Sequence, residues 1–259
     1  MEKQYYYAYS KYLKDRYGEK VYKLPVNLPV SCPNKKEGRG CLFCADVGTG
    51  FEASDNSLTV RSQMLASREK VEKRYNAHKF IAYFQNYTNT FLPLSILLNY
   101  MKEAAEVDNV VEICLSTRPD CIRQEYLEAF KEFRFRTGIE VSIELGLQTV
   151  NYHTLAAMNR GHGLAEFLDA VLRIAPYHFP VCVHMILNLP GDTMEDVKEA
   201  SRILSALPVT MVKLHSLYIP KKSGLYEKYA KGEITICSKE EYLERLAEFI
   251  ALLRPDITV

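Results

Sequence analysis

Cys32 is followed after eight intervening residues by Cys41, and after two more by Cys44, in the stretch Ser31-Cys-Pro-Asn-Lys-Lys-Glu-Gly-Arg-Gly-Cys-Leu-Phe-Cys44. No fourth cysteine is nearby. An iron–sulfur cubane has four irons and is ordinarily held by four thiolates. Three thiolates leave one iron open to a substrate or cofactor, as a catalytic zinc keeps one open position. The spacing therefore suits a reactive cluster better than a buried electron carrier. The competing reading is a structural zinc site with histidine as fourth ligand. Against it, only Cys41 and Cys44 form a close couple, and the nearest histidine, His78, lies beyond an expected helix.

Such a loop needs a rigid rim to hold it, and the rest of the chain has the pattern for one. Residues 21–30 are β-rich and run into the cysteine loop; residues 58–75 read as a charge-studded helix. Residues 79–85 form a short apolar strand, followed by the polar turn Asn86-Tyr-Thr-Asn-Thr90 and a helix over 93–107. A strand over 110–115 ends at Ser116-Thr-Arg-Pro-Asp120, before a helix over 123–136. Strands over 139–145, 181–189 and 209–217, with helices between and a last helix over 239–253, complete the series. Short apolar strands separated by helices argue for parallel βαβ units, and right-handed crossovers close such a sheet into a barrel or wind it open. Six units are countable, fewer than the eight of a full barrel. The expected fold is α/β, a partial (β/α)6 TIM-like barrel of parallel strands.

The 259 residues make one such domain. Its expected parts are a tyrosine-rich basic arm over 1–20, the partial barrel over 21–253, and residues 254–259, which read as the start of another strand in either a short member or a truncated chain. A net charge of +1 excludes strong global attraction to nucleic acid, although residues 1–40 carry nine Lys/Arg against four Asp/Glu. Seven unevenly spaced cysteines, without a signal-peptide pattern or a long apolar stretch, read as reduced thiols of a cytoplasmic protein with no membrane partner.

In parallel α/β folds, ligands collect at the carboxyl ends of strands. Every unusual polar segment here falls at such an end: the cysteine loop, residues 85–90, Ser116-Thr-Arg-Pro-Asp120, Gly146-Leu-Gln148 and Asn188-Leu-Pro-Gly191. Together these motifs resemble the radical S-adenosylmethionine (SAM) enzymes, whose three cysteines follow the first barrel strand with an aromatic residue, here Phe43, just before the last. The long first gap is similar to the elongator-type branch, and the chain is closest to a bacterial subgroup of uncharacterised or tRNA-linked members. The likeness runs from Tyr5 to the last helix.

The resemblance implies that Cys32, Cys41 and Cys44 hold a [4Fe-4S] cluster and that the amine and carboxylate of SAM chelate the fourth iron. One electron from the reduced cluster then breaks a C–S bond, giving a 5′-deoxyadenosyl radical that takes hydrogen from an unactivated carbon. A reducing donor such as flavodoxin or ferredoxin would supply that electron. Phe43 would pack against the adenine. Gln85, Thr88 and Thr90 occupy the place of a glycine-rich turn that binds the SAM amino group, and Thr117 the place of a contact to the ribose or the amino-acid end. Gln148 would face the ribose hydroxyls, Arg160 the SAM carboxylate, and His184 stands where some relatives carry an acid near the ribose. Arg118 also suits a purely local pair with Asp120, and the polar turn after residue 85 also suits a plain helix cap. Cys114 and Cys182 read as small buried hydrophobes.

For the substrate, the first 22 residues hold seven of the eighteen tyrosines, interleaved with Lys and Arg. Aromatic rings stack on unpaired bases while cations hold phosphates; the same arm would equally serve as a helix covering the barrel base. With the resemblance, the arm points to tRNA as partner and to the side chain of a wobble uridine as target. Two alternatives remain: radical chemistry on a small metabolite, such as oxidative decarboxylation, and a zinc-stabilised, non-catalytic RNA-binding protein.

Overall fold

Every strand sends alternate side chains into two different surroundings, and that alternation organises the molecule. The computed structural model describes residues 5–38, 40–44 and 54–259. Within them run α1 (Tyr9–Tyr17), β1 (Val21–Val26), α2 (Pro33–Glu37), α3 (Val60–Tyr75), β2 (Lys79–Phe84), α4 (Leu94–Ala105), β3 (Val110–Thr117) and α5 (Gln124–Thr137). The second half adds β4 (Glu140–Gln148), α6 (Tyr152–Ala157), α7 (Leu164–Ile174), β5 (Val181–Ile186), α8 (Met194–Ala206), β6 (Met211–His215), α9 (Gly224–Ala230) and α10 (Lys239–Leu252). All strand pairs are parallel and the order is β1-β2-β3-β4-β5-β6, as successive right-handed βα crossovers produce. The partial (β/α)6 barrel expected from the sequence is the fold observed.

One face of the sheet is apolar throughout. Leu24, Phe80, Ile113, Ile143, Val183 and Val212 pack there with Leu97 of α4, Phe130 of α5 and Phe167 of α7, each buried ring or branched chain contributing roughly 2 kcal/mol. The alternate positions face the lumen. Ile81, Tyr83, Cys114, Cys182 and Met211 form a separate cluster there, and Lys23, Glu112, Ser142, Glu144, His184 and Lys213 take the intervening inner places. The strands are therefore not apolar on both faces.

The tyrosine arm is a plug. Tyr12 and Leu13 of α1 are buried against the lumen cluster, with Tyr7, Tyr9 and Tyr17 packed around them. Arg16 pairs with Glu140 at the start of β4, Tyr17 OH donates to Glu112 at 2.5 Å, and Lys79 Nζ at the start of β2 donates to the Tyr17 carbonyl at 2.9 Å. These contacts fix α1 across the amino ends of the strands, opposite the cysteine loop. The rings expected to stack on bases are thus largely spent on closing the barrel; residues 1–4 lie outside the described residues.

The chain's last residues return to the same end. Thr258 makes parallel bridges to Tyr7 and to Met211 of β6, an isolated pairing in place of a full strand. The strands expected to reach Leu189 and Leu217 stop at Ile186 and His215, because Asn188 Oδ1 accepts the Leu217 N–H at 2.6 Å where a ladder bond would have continued. No helix among the described residues is long and apolar enough to cross a membrane.

Candidate active site

The three thiols stand on one cavity at the carboxyl ends of the strands. Cys32 is the N-cap of α2, with extended backbone at φ −121. Gly40, at φ +76, turns the loop back, a conformation that glycine adopts without penalty; Gly38 is extended. The loop is then clamped from two sides. Leu42 N donates to Met158 O at 3.0 Å, and Leu225 N in α9 donates to Leu42 O at 2.9 Å. Asn159 Nδ2 donates to Gly40 O at 2.8 Å. Leu42 and Phe43 pack on Met158, Ile186, Leu189 and Leu225.

Each side of the triplet carries a guanidinium. Arg118 Nη1 lies 3.6 Å from Cys32 Sγ, and Arg160 Nη1 lies 3.5 Å from Cys41 Sγ. The Cys44 thiol, followed by the Arg160 charge, draws the Cys41 thiol down to about 5 against the opposing effect of burial. Its hydrogen bond to Cys41 and its own burial push the Cys44 thiol up.

Phe43, Gln85, Thr88, Thr117, Gln148, Arg160 and His184 line this same cavity. Thr90 does not: its hydroxyl meets Thr117 Oγ1 at 2.5 Å and donates to the Cys121 carbonyl at 2.9 Å, on the side of a neighbouring groove. Arg118 forms the expected local pair, with Nε and Nη2 on Asp120 at 2.9 and 2.6 Å, while still reaching Cys32. Gln148 sits at φ +80, where the β4–β5 register shifts between Gly146 and Gln148. Such a left-handed, bulged residue at a strand end re-aims a side chain at a site. Arg160 is buried, with Nη2 donating to Gly146 O at 2.6 Å, and its Nε is buried without a partner among the described residues. A buried donor left open in this way fits an anionic ligand group.

Glu144 is the residue that sequence reasoning missed. Five groups converge on its buried carboxylate: Lys23 Nζ at 2.5 Å, Tyr83 OH at 2.7 Å, His184 Nε2 at 2.6 Å, Cys114 Sγ at 3.3 Å and Ser116 Oγ at 3.4 Å. Burial alone would push this carboxyl up, but Lys23, His184 and Lys213 hold it well below the usual carboxylate range. The chain continues to His215, whose Nε2 is 3.1 Å from His184 Nδ1. Burial pushes His184 down and His215 down to about 4. Glu144, Cys182 and His184 also bring three donor atoms within 4.8 Å; the Lys23 ammonium on Glu144 makes that cluster an ion pair in place of a metal site. Cys114 is accordingly a thiol donor within this network as well as a packed residue. The available signal was a charged residue in the middle of an otherwise apolar strand, Ser142-Ile-Glu-Leu145.

Comparison with known proteins agrees with this geometry. Residues 26–204 match the family model of the Radical SAM superfamily, and residues 209–259 match that of the Radical_SAM C-terminal domain. Protein YhcC of Escherichia coli is 33% identical over 248 residues, 95% of this chain and 79% of that protein. A tRNA uridine(34) acetyltransferase of Methanocaldococcus jannaschii is 27% identical over 153 residues, 56% of this chain and 27% of that protein. The solved structure of Elp3 from Methanocaldococcus infernus with an N-terminal deletion superposes with a TM-score of 0.70 at 17% identity, covering 92% of this chain and 56% of that one. The fold, the thiol-lined cavity and these matches lead to one assignment: the chain belongs to the radical SAM superfamily, as an enzyme that uses a [4Fe-4S] cluster and SAM.

Proposed function

We propose that this enzyme modifies tRNA, acting on the side chain of a wobble uridine presented as an unstacked base. The observation that carries the reading is the barrel segment shared with a tRNA uridine(34) acetyltransferase. In this reading Cys32, Cys41 and Cys44 hold the cluster. Bound together, the cluster and SAM supply a one-electron cleavage that yields a 5′-deoxyadenosyl radical.

The chain's own residues hold and orient. Arg160 offers its open Nε and adjacent charge to the SAM carboxylate. Gln85 and Thr88 accept from the ammonium, and Gln148 exchanges hydrogen bonds with the ribose hydroxyls. Thr117 faces the ribose or amino-acid end, with Thr90 as a positioning residue behind it. Phe43 packs against the adenine, and His184, held by Glu144, forms the wall near the ribose.

Two substitutions test the SAM contacts. Arg160→Ala is expected to weaken SAM binding by about 10- to 100-fold, the scale of a charged hydrogen bond, with iron content retained. A Cβ at position 146 would stand 2.7 Å from Arg160 Nη2 and 2.9 Å from Gln148 Nε2. Gly146→Ala should therefore displace both side chains and weaken SAM in the same direction without removing a donor. Calorimetric titration showing normal affinity in both variants would retire the assignment. For the substrate, the test is mass spectrometry of tRNA nucleosides from a deletion strain. A changed wobble uridine is expected; an unchanged nucleoside profile, with a holoenzyme that retains no tRNA, would favour a small metabolite instead.

A further inference from the structure

An enzyme that works on a base must grip RNA where its cavity opens, yet the packed rings of α1 lie at the other end of the barrel. Of its cations, Lys11 pairs with Asp15 at 2.6 Å and Arg16 pairs with Glu140, while Lys14 is exposed. The mouth is built differently. Lys35 and Lys36 form the last turn of α2, between the first two cysteines. Lys35 Nζ stands 5.2 Å over the Tyr87 ring and Lys36 Nζ 5.6 Å over the Phe91 ring. Tyr87 lines the cavity itself and holds φ +57, a left-handed conformation uncommon for a ring-bearing residue and often found where a side chain is aimed for use. Phe91, 36% exposed, lines the adjoining groove together with Arg123.

Two further cations lie at the same carboxyl end of the strands. Lys221 and Lys222 are exposed in the connection from β6 to α9, which the hydrogen bond from Leu225 N to Leu42 O holds against the cysteine loop. Among the described residues, no carboxylate pairs with Lys36, Lys221 or Lys222. The acids near the groove are engaged: Asp120 pairs with Arg118 and Glu125 with Arg123, each at 2.6 Å.

We propose that this rim, and not the tyrosine arm, is the RNA-binding surface. An unpaired strand would run across the mouth, its bases stacked on Tyr87 and Phe91 and its phosphates held by Lys36, Lys221 and Lys222. The inference rests on the tRNA reading above. Cations alone would equally suit an acidic electron-donor protein; rings interleaved with them favour single-stranded RNA, because every base has a face to stack.

The test uses anaerobically reconstituted holoenzyme and bulk tRNA, with affinity read by fluorescence anisotropy as salt is varied. The triple variant Lys36→Glu, Lys221→Glu, Lys222→Glu should bind tRNA at least about tenfold more weakly, and its log–log salt slope should be shallower by about 2, at about 0.7 for each lost single-strand phosphate contact. Phe91→Ala should weaken binding while leaving that slope unchanged. Lys11→Glu with Lys14→Glu should stay within about twofold of the parent, and iron content and cluster absorbance should be unaltered in every variant. Loss of binding in the arm variant with parental affinity in the rim variants would overturn the proposal while keeping tRNA as substrate. A parent holoenzyme that binds no tRNA at low salt would overturn the tRNA reading itself. A rim variant that keeps tRNA but loses SAM cleavage driven by reduced flavodoxin would assign the face to the electron donor and overturn the RNA proposal.

Discussion

Cys32→Ser, Cys41→Ser and Cys44→Ser are each expected to leave a protein that folds but holds almost no iron after anaerobic reconstitution. SAM cleavage should fall by on the order of 10³-fold or more, the scale on which one member of a catalytic unit is lost. The reason is local. The three thiols stand together on one cavity, and a hydroxyl at any of them is a poor ligand for iron. Cys114→Ser and Cys182→Ser provide the contrast. Both sulfurs are buried among lumen side chains, so these changes should cost some stability and leave iron content near the parent level. Iron and sulfide assays with the cleavage assay decide it. If a loop variant kept its iron while Cys114→Ser or Cys182→Ser lost it, the cluster would have to be placed in the lumen.

The second large effect concerns stability. Glu144→Gln should destabilise the protein by about 3 kcal/mol, the lower end for breaking a buried ion pair, because Lys23 keeps 23% of its side chain exposed. For a chain of this size that is a fall of roughly 6–12 °C in Tm. The pH sign follows from the depressed carboxyl. Its contribution is fully present above the ordinary carboxylate pKa and is lost as pH falls through the lower folded value. Thermal melts near neutral pH should show the whole loss, and the gap between parent and variant should close in strong acid. The double variant Lys23→Met, Glu144→Leu should lose less than the sum of its single changes, since apolar replacement of both partners removes the stranded charge. A Glu144→Gln protein within about 1 kcal/mol of the parent would show that the ammonium finds water when its partner is removed.

These two effects mark what was and was not legible in the sequence. Strands and helices could be read because their periodicity is local: the helix expected over 58–75 runs from Val60 to Tyr75, and the strand over 79–85 from Lys79 to Phe84. The site loops could be read because a parallel sheet puts loop chemistry at one end. Glu144 was hidden because its partner Lys23 is 121 residues away, and a buried ion pair has no characteristic spacing. The clamp of α9 on Leu42 was hidden for the same reason. The arm was open to two readings, since tyrosine suits a buried plug as well as a stacking platform; its place at the amino ends of the strands makes Tyr12 and the rings packed on it part of the plug. Thr90 shows the finest limit. The polar turn was identified, but which hydroxyl faces the cavity depends on a single turn of backbone between Thr88 and Thr90.

The measurement that tests the central claim most directly is the electron paramagnetic resonance spectrum of the reconstituted, dithionite-reduced protein with and without SAM. About four irons per chain, a brown colour bleached on reduction and a spectrum that changes when SAM is added are the expected results. They would show a three-thiolate cluster with an iron open to the cofactor. A colourless protein carrying one zinc, or a cluster whose spectrum does not respond to SAM, would contradict the account.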